Sequence, residues 1–313
     1  MERRSSLDKK IIPLTRDFMF SEVFNNPDNV CILESFLASY LDIPISDIKG
    51  NVKILSRRLP NQSKREARKE VDVLLKLKDK KIIIEMNTSE FSRRKRDRNL
   101  IYASKVLSQE YKKGDNKLEN VLNVHQINFA TETPRLEKRK LKYLINEYEL
   151  RGKYDPEELF SKKLKIDIID MEKSNNPCYT YIDKREEITA KWCRLMYTKS
   201  LKYLKEEGSI LMDDKTLEKL TEEIEKLSED EEMVRLESEY TMQEWTHMAN
   251  ILDAKEESYE EGVESGISKG IEQNQIDTVR RMLEKNLSSE LISDYTGIPI
   301  EKINEIIDNL KDN

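Results

Sequence analysis

Apolar and polar positions along the chain follow two different periods. In Glu70-Val71-Asp72-Val73-Leu74-Leu75-Lys76-Leu77, alternation is mixed with an apolar core, and Lys81-Ile82-Ile83-Ile84-Glu85-Met86 is a β-branched run. With Lys78-Asp79-Lys80 as a tight turn between them, the two stretches predict a β-hairpin. Residues 120–130, 148–151 and 164–171 show the same strand character. A helical period predicts helices near 17–24, 29–41, 92–113 and 185–206, then across most of 214–310. No proline occurs between Pro177 and Pro299, and that stretch is rich in Glu, Lys, Leu and Met, residues that favour helix. The pattern therefore predicts three regions. Residues 1–175 form an α/β domain with a mixed sheet, 176–255 a helical region packed on it or extending from it, and 256–313 a glycine-containing helix with a small helical cap.

Composition narrows the class. Hydrophobic and charged residues each make up 37 % of the 313 positions, whereas soluble domains average roughly 45–50 % apolar. No window reaches the ~20 uninterrupted apolar residues of a membrane span. The opening MERRSSLDKKIIPLTRDF is basic but carries no apolar run, so no secretory signal is expected. Three cysteines (Cys31, Cys178, Cys193) without CxxC spacing and two histidines argue against a cysteine–histidine zinc site. A cytoplasmic, reducing location is expected. The net charge of −6 conceals an asymmetry: residues 1–150 hold 31 Lys+Arg against 22 Asp+Glu, leaving 24 against 39 for residues 151–313. A basic first half on an acidic chain fits a part that faces a polyanion, although helix-rich surfaces also accumulate Glu and Lys.

The sharpest chemical signal is acidic. Asp72 sits between Val71 and Val73, and Glu85 follows three isoleucines, so both carboxylates interrupt apolar strands. A carboxylate beside a core loses hydration unless it is paired or binds a cation. Two of them converging from adjacent strands make an oxygen site suited to Mg²⁺ or Mn²⁺, and such an ion serves phosphodiester hydrolysis. Spacing alone also allows two solvent-face carboxylates on amphipathic strands.

Asp72, the hairpin turn and Ile84-Glu85-Met86-Asn87 resemble the D…(D/E)xK constellation of the PD-(D/E)XK nuclease fold, most closely its recombination-promoting nuclease (Rpn) and transposase-associated branch. In that branch the third position is often Gln; here it is Asn87. Other stretches are similar too: PLTRDFMFSEVF with Asp17, RNLIYASKVLSQEYKKG with Arg98, Tyr102 and Gln109, the strands within 120–130 and 164–173, Lys191-Trp192, and Thr296-Gly297-Ile298-Pro299. The resemblance implies a restriction-endonuclease-like mixed sheet flanked by helices, followed by a mostly helical C-terminal region. It also implies a metal-dependent DNA endonuclease linked to recombination or mobile elements. Asp72 and Glu85 would hold Mg²⁺ or Mn²⁺, Asn87 would position the attacking water, and Asp17 would add a ligand or orient water. Asn87 is shorter than Gln and carries no charge, unlike Lys, so either Asn87 reaches the water, a nearby lysine substitutes, or activity is weakened or lost. The alternative is a catalytically inactive relative that binds nucleic acid or a protein partner as a regulator.

The basic run Arg93-Arg94-Lys95-Arg96-Asp97-Arg98 opens the helix after the hairpin. Arg94, Arg98, Tyr102 and Lys105 step by four, four and three, so they share one face suited to backbone phosphates, and the resemblance adds Gln109 to this DNA-binding set. Arg57, Arg58, Lys64, Arg65, Arg68 and Lys69 form a second basic cluster just before Asp72. His125, within an apolar strand, reads as a core histidine. Gly262, Gly266 and Gly270 recur every four residues in a stretch that otherwise favours helix. Each costs about 1 kcal/mol there, so the small-residue face has a role as a close-approach surface, a homodimer being one such arrangement, or the segment is a frayed linker. Three short helices, 276–284, 288–295 and 300–310, are expected to close the chain.

Overall fold

A computed structural model describes residues 8–59, 69–109, 121–134 and 141–311. In chain order the elements are α1 (Asp17–Asn25), α2 (Val30–Leu41), α3 (Ile45–Ile48), β1 (Val52–Ile54), β2 (Arg58–Leu59), β3 (Lys69–Glu70), β4 (Val73–Leu77), β5 (Lys80–Asn87) and α4 (Arg93–Gln109). They continue with β6 (Asn123–Ala130), β7 (Ile145–Arg151), β8 (Leu159–Asp170), α5 (Lys184–Tyr197), α6 (Leu201–Leu211), α7 (Asp214–Glu229), α8 (Glu231–Leu283), α9 (Ser289–Thr296) and α10 (Ile300–Lys311). The predicted hairpin, the three later strands and the early helices are present. The part of the expected helix 92–113 beyond residue 109 lies outside the described residues.

The hairpin forms because β4 and β5 are β-branched and apolar and Lys78 turns the chain at φ 52, giving an antiparallel register from Leu77↔Lys80 to Val73↔Ile84. Six strands make one mixed sheet in the order β1-β4-β5-β6-β8-β7. β5 pairs with β6 and β6 with β8 in parallel, while the β1–β4 and β7–β8 pairs are antiparallel. Side chains alternate across the sheet. Val73, Leu75, Ile82, Ile84, Ile127 and Phe129 enter the main core with Phe20, Phe36 and Trp192. Leu74, Ile83 and Val124 face the other way, against Ala103 and Val106 of α4. Trp192, on α5, is fully buried and meets Phe36 edge-on at 5.5 Å.

Two compact units result, Met1–Ser238 and Glu239–Asn313. Helices α5 to α7 place Ala190, Leu204, Leu220 and Ile224 in the core of the sheet, which joins them to the first unit. The expected helix 185–206 is broken at Thr198–Ser200, where Ser200 caps α6 by accepting from Tyr203 N. Residues 276–283 are not a separate short helix. They are the last turns of α8, a 53-residue helix that runs unbroken through Gly262, Gly266 and Gly270. Val279 of α8, Ile292 of α9, and Ile303 and Ile306 of α10 make a small separate core. Gly297, at φ 71, ends α9 in the left-handed conformation that lacks a steric cost only for glycine.

Candidate active site

The β4–β5 hairpin is bent where its two acidic residues lie. Asp72 sits at a bend just before β4, with its carbonyl held by Asn25 Nδ2 at 2.6 Å. Extending the register by one pair sets Asp72 beside Glu85. The Met86 N–H donates to Asp72 Oδ2 at 2.7 Å, and the Asp72 N–H in turn bonds the Glu85 carboxylate. Both carboxylates line one cavity of about 250 Å³, together with Asp17, Glu70, Asn87, Thr88, Ser89, Lys95, Arg98 and Tyr102. The two acids thus converge.

Burial makes this pair costly. Glu85 is only 4 % exposed, and its Oε1 is buried without a hydrogen-bond partner. Burial pushes the Asp72 carboxyl up from 3.8 to about 6, helped by the charge of Asp17 and opposed by the Met86 N–H, Arg98 and Arg57. Burial first, and then the Asp72 charge, hold the Glu85 carboxyl well above its usual range, against the pull of Arg98. Two adjacent acids that are not neutralised by a side-chain cation at hydrogen-bond distance, one with an orphaned oxygen, fit a hard divalent cation bound through oxygen. Among the described residues no three Asp, Glu, His or Cys side chains cluster at metal-binding spacing. The protein therefore offers two carboxylates, and Asp17 stays at the mouth of the cavity, exposed, with its Oδ1 accepting from Phe18 N.

Asn87 also lines the cavity, but its amide is engaged beneath α4. Nδ2 donates to the Phe129 carbonyl at 3.1 Å, and Oδ1 faces Asn99 Nδ2 at 3.4 Å. Asn99 passes its other bond to Asn128 Oδ1 at 2.8 Å, and Asn128 donates to the Asp167 carbonyl. Asn87 is thus tied into a buried amide chain. Lys95 supplies the cationic amine. One residue along from Arg94, it points into the cavity, where Nζ bonds the Ser89 carbonyl at 2.9 Å and the Ser89 hydroxyl. Burial, then the neighbouring Arg98 charge, lower its pKa.

Of the set expected to bind DNA, Arg98 and Tyr102 border the cavity, with the guanidinium 5.7 Å from the Tyr102 ring centre. Arg94, Lys105 and Gln109 lie on α4 outside the lining. Arg57 and Arg58 pair with Glu70, whereas Lys64, Arg65, Arg68 and the Lys69 side chain lie outside the described residues. His125 is buried, with Nε2 2.6 Å from Asp167 Oδ2. Sequence reasoning passed over Asn99 and Glu70. It allowed a nearby lysine to stand in for the motif's without saying which, and Lys95, in the basic run one helix later, is the lysine that lines the cavity.

A family model described as PD-(D/E)XK nuclease family transposase matches residues 14–254. The chain belongs to that family. The match spans the hairpin, α4 and the helices that complete the sheet's core, which agrees with the observed mixed sheet and flanking helices. No curated protein and no solved structure matches the chain. Family membership supports nuclease-type chemistry, and nucleases of this fold typically use divalent metals. No described helix is long and apolar enough to cross a membrane.

Proposed function

We propose that the chain is a metal-dependent DNA endonuclease acting in recombination or on mobile elements. The observation that carries this reading is the buried pair Asp72–Glu85 in one polar cavity, with Glu85 Oε1 lacking a partner. A structural acid such as Asp167 is met by cations, Arg185 and Lys165, whereas Glu85 is met by a second acid, Asp72, so the opposite charge has to come from a bound ion. Asp72 and Glu85 would hold Mg²⁺ or Mn²⁺. A cation bound there polarises the phosphoryl group and makes the attacking water more acidic.

The other residues act around that centre. Lys95 presents a positive charge to the reacting phosphate, the task that the motif assigns to a lysine on the strand. Arg98 offsets the carboxylates' mutual repulsion and, with Arg94 and Lys105 further round and along α4, holds flanking phosphates. Asn87 acts as a positioning residue, fixing the end of β5 through Phe129 and Asn99. Asp17, at the mouth, orients water entering the cavity.

A second reading is favoured by the engagement of Asn87: a nuclease fold that binds nucleic acid without cutting it. Relaxation of supercoiled plasmid in Mg²⁺, Mn²⁺ or EDTA separates the two. We expect metal-dependent nicking that falls on the order of 10³-fold or more in Asp72→Ala and in Glu85→Ala. No nicking by the native protein, with plasmid retardation equal in all three, would overturn the enzyme reading and leave the binding module.

A further inference from the structure

The last unit carries a surface that the catalytic reading does not use. From residue 242 to 269, α8 presents four heptads, roughly 40 Å of helix at 1.5 Å per residue. At the first and fourth positions of these heptads stand Met242, Trp245, Ala249, Leu252, Tyr259 and Val263. The remaining two positions are Glu256 and Gly266. At 100° per residue they fall in one stripe, the seam of a two-stranded coiled coil. The stripe is bare: Trp245 is 74 % exposed, Leu252 56 % and Tyr259 73 %. A lone helix has no reason to align large apolar side chains in water, since each would be stabilised by burial.

We infer that this stripe is covered by the same stripe of a second copy, in a parallel coiled coil. Three features select that occupant. A stripe one seam wide fits a single helix, not a broad surface. Residues 239–274 hold nine acidic against two basic side chains, which disfavours nucleic acid and anionic lipid. One of the two lysines, Lys255, stands where self-pairing needs it. In a parallel, in-register dimer, Lys255 of one copy lies opposite Glu260 of the other, the position five residues on, and beside its Glu256 in the seam. In an antiparallel pair Asp253 and Glu260 would face each other instead, like charge against like. Gly266 and Gly270 fall on the seam, and no atom lies within 4 Å of a Cβ built on either. They let the two backbones approach closely where Ile267 flanks the stripe, which gives two of the three glycines their role; Gly262 lies off the stripe. Because Glu239 follows Ser238 directly, such a dimer carries two catalytic units as a pair.

Sedimentation equilibrium of the full chain tests this without reference to catalysis. We expect the native protein at twice 37.0 kDa, and Trp245→Glu/Leu252→Glu to weaken association by about 100-fold or more, as loss of two central apolar anchors should. Glu261→Gln, on the outer face of the helix, should leave the dimer unchanged. Lys255→Glu should weaken the dimer and Glu256→Leu tighten it. In a Cys31→Ser/Cys178→Ser background, Ala249→Cys should oxidise to a covalent dimer, because parallel register sets residue 249 against itself. A native monomer at micromolar concentration, or a dimer indifferent to the Trp245/Leu252 change, would overturn the inference. A dimer in which Ala249→Cys does not cross-link would overturn the parallel arrangement.

Discussion

One sheet buries carboxylates on both of its faces, and they have been treated differently. On the main-core face, Asp167 is fully buried. Its Oδ2 accepts from the Tyr40 hydroxyl at 2.8 Å and meets His125 Nε2 at 2.6 Å. The Arg185 guanidinium stands 3.7 Å from that oxygen, and the Lys165 ammonium 3.7 Å from Oδ1. On the cavity side, Glu85 has the Asp72 amide and a second acid; one oxygen of each acid, Glu85 Oε1 and Asp167 Oδ1, is buried without a hydrogen bond, so the charge around them is what differs. A buried charge is tolerated when the protein supplies the opposite charge itself. Where the protein supplies another like charge instead, the neutralising partner has to come from solution. The comparison separates an acid that the fold neutralises from one that it leaves to a partner from solution.

The largest effect should come from exchanging the two acids' fates. Asp167→Asn removes the negative charge around which Tyr40, His125, Arg185 and Lys165 are arranged, so we expect a loss of about 3–5 kcal/mol in stability, with cleavage per folded molecule intact. Glu85→Gln should do the reverse, abolishing metal-dependent nicking while urea unfolding shows no loss of stability. Equal loss of stability in both variants would break the distinction.

Lys95→Gln should lower the nicking rate by about 10²-fold, and Lys95→Arg should recover part of it, because both carry the charge into the cavity. Plasmid retardation should be nearly unchanged in either variant. If Lys95→Gln cuts at the native rate, the cation that serves the phosphate is a different one.

The smallest effect is thermodynamic and needs no substrate. Asp72 holds its proton up to about pH 6 in the folded chain, against 3.8 for an ordinary aspartate. The folded state therefore binds the proton more tightly than the unfolded state. That contribution to stability is fully present below about pH 4 and is lost as pH rises through about 6. In EDTA, Asp72→Asn should melt a few degrees above the native protein at neutral pH, with the gap closing towards pH 4. Mg²⁺ or Mn²⁺ should raise the native melting temperature and leave the variant's unchanged. A metal-induced rise of equal size in both would place the ion elsewhere.

The sequence by itself determined the elements and the acids. β-branched runs around Lys78-Asp79 permit little but a hairpin, and a carboxylate after three isoleucines is conspicuous because local burial penalises it whatever the fold. The long helix was legible as helix, since Glu, Lys, Leu and Met without proline allow nothing else, but its continuity through three glycines was not. Only tertiary structure decided which side chains meet. Lys95 reaches the cavity because α4 packs over β6 and β8, and the Asn87 amide is engaged because Asn99, twelve residues later, comes to lie over it. Helices 184–229 join the first unit because their apolar stripes match the bare face of the sheet. Such partnerships depend on distances across the fold, and residue order carries no direct record of them. Periodicity reports which face of an element is apolar, and packing then chooses what covers it.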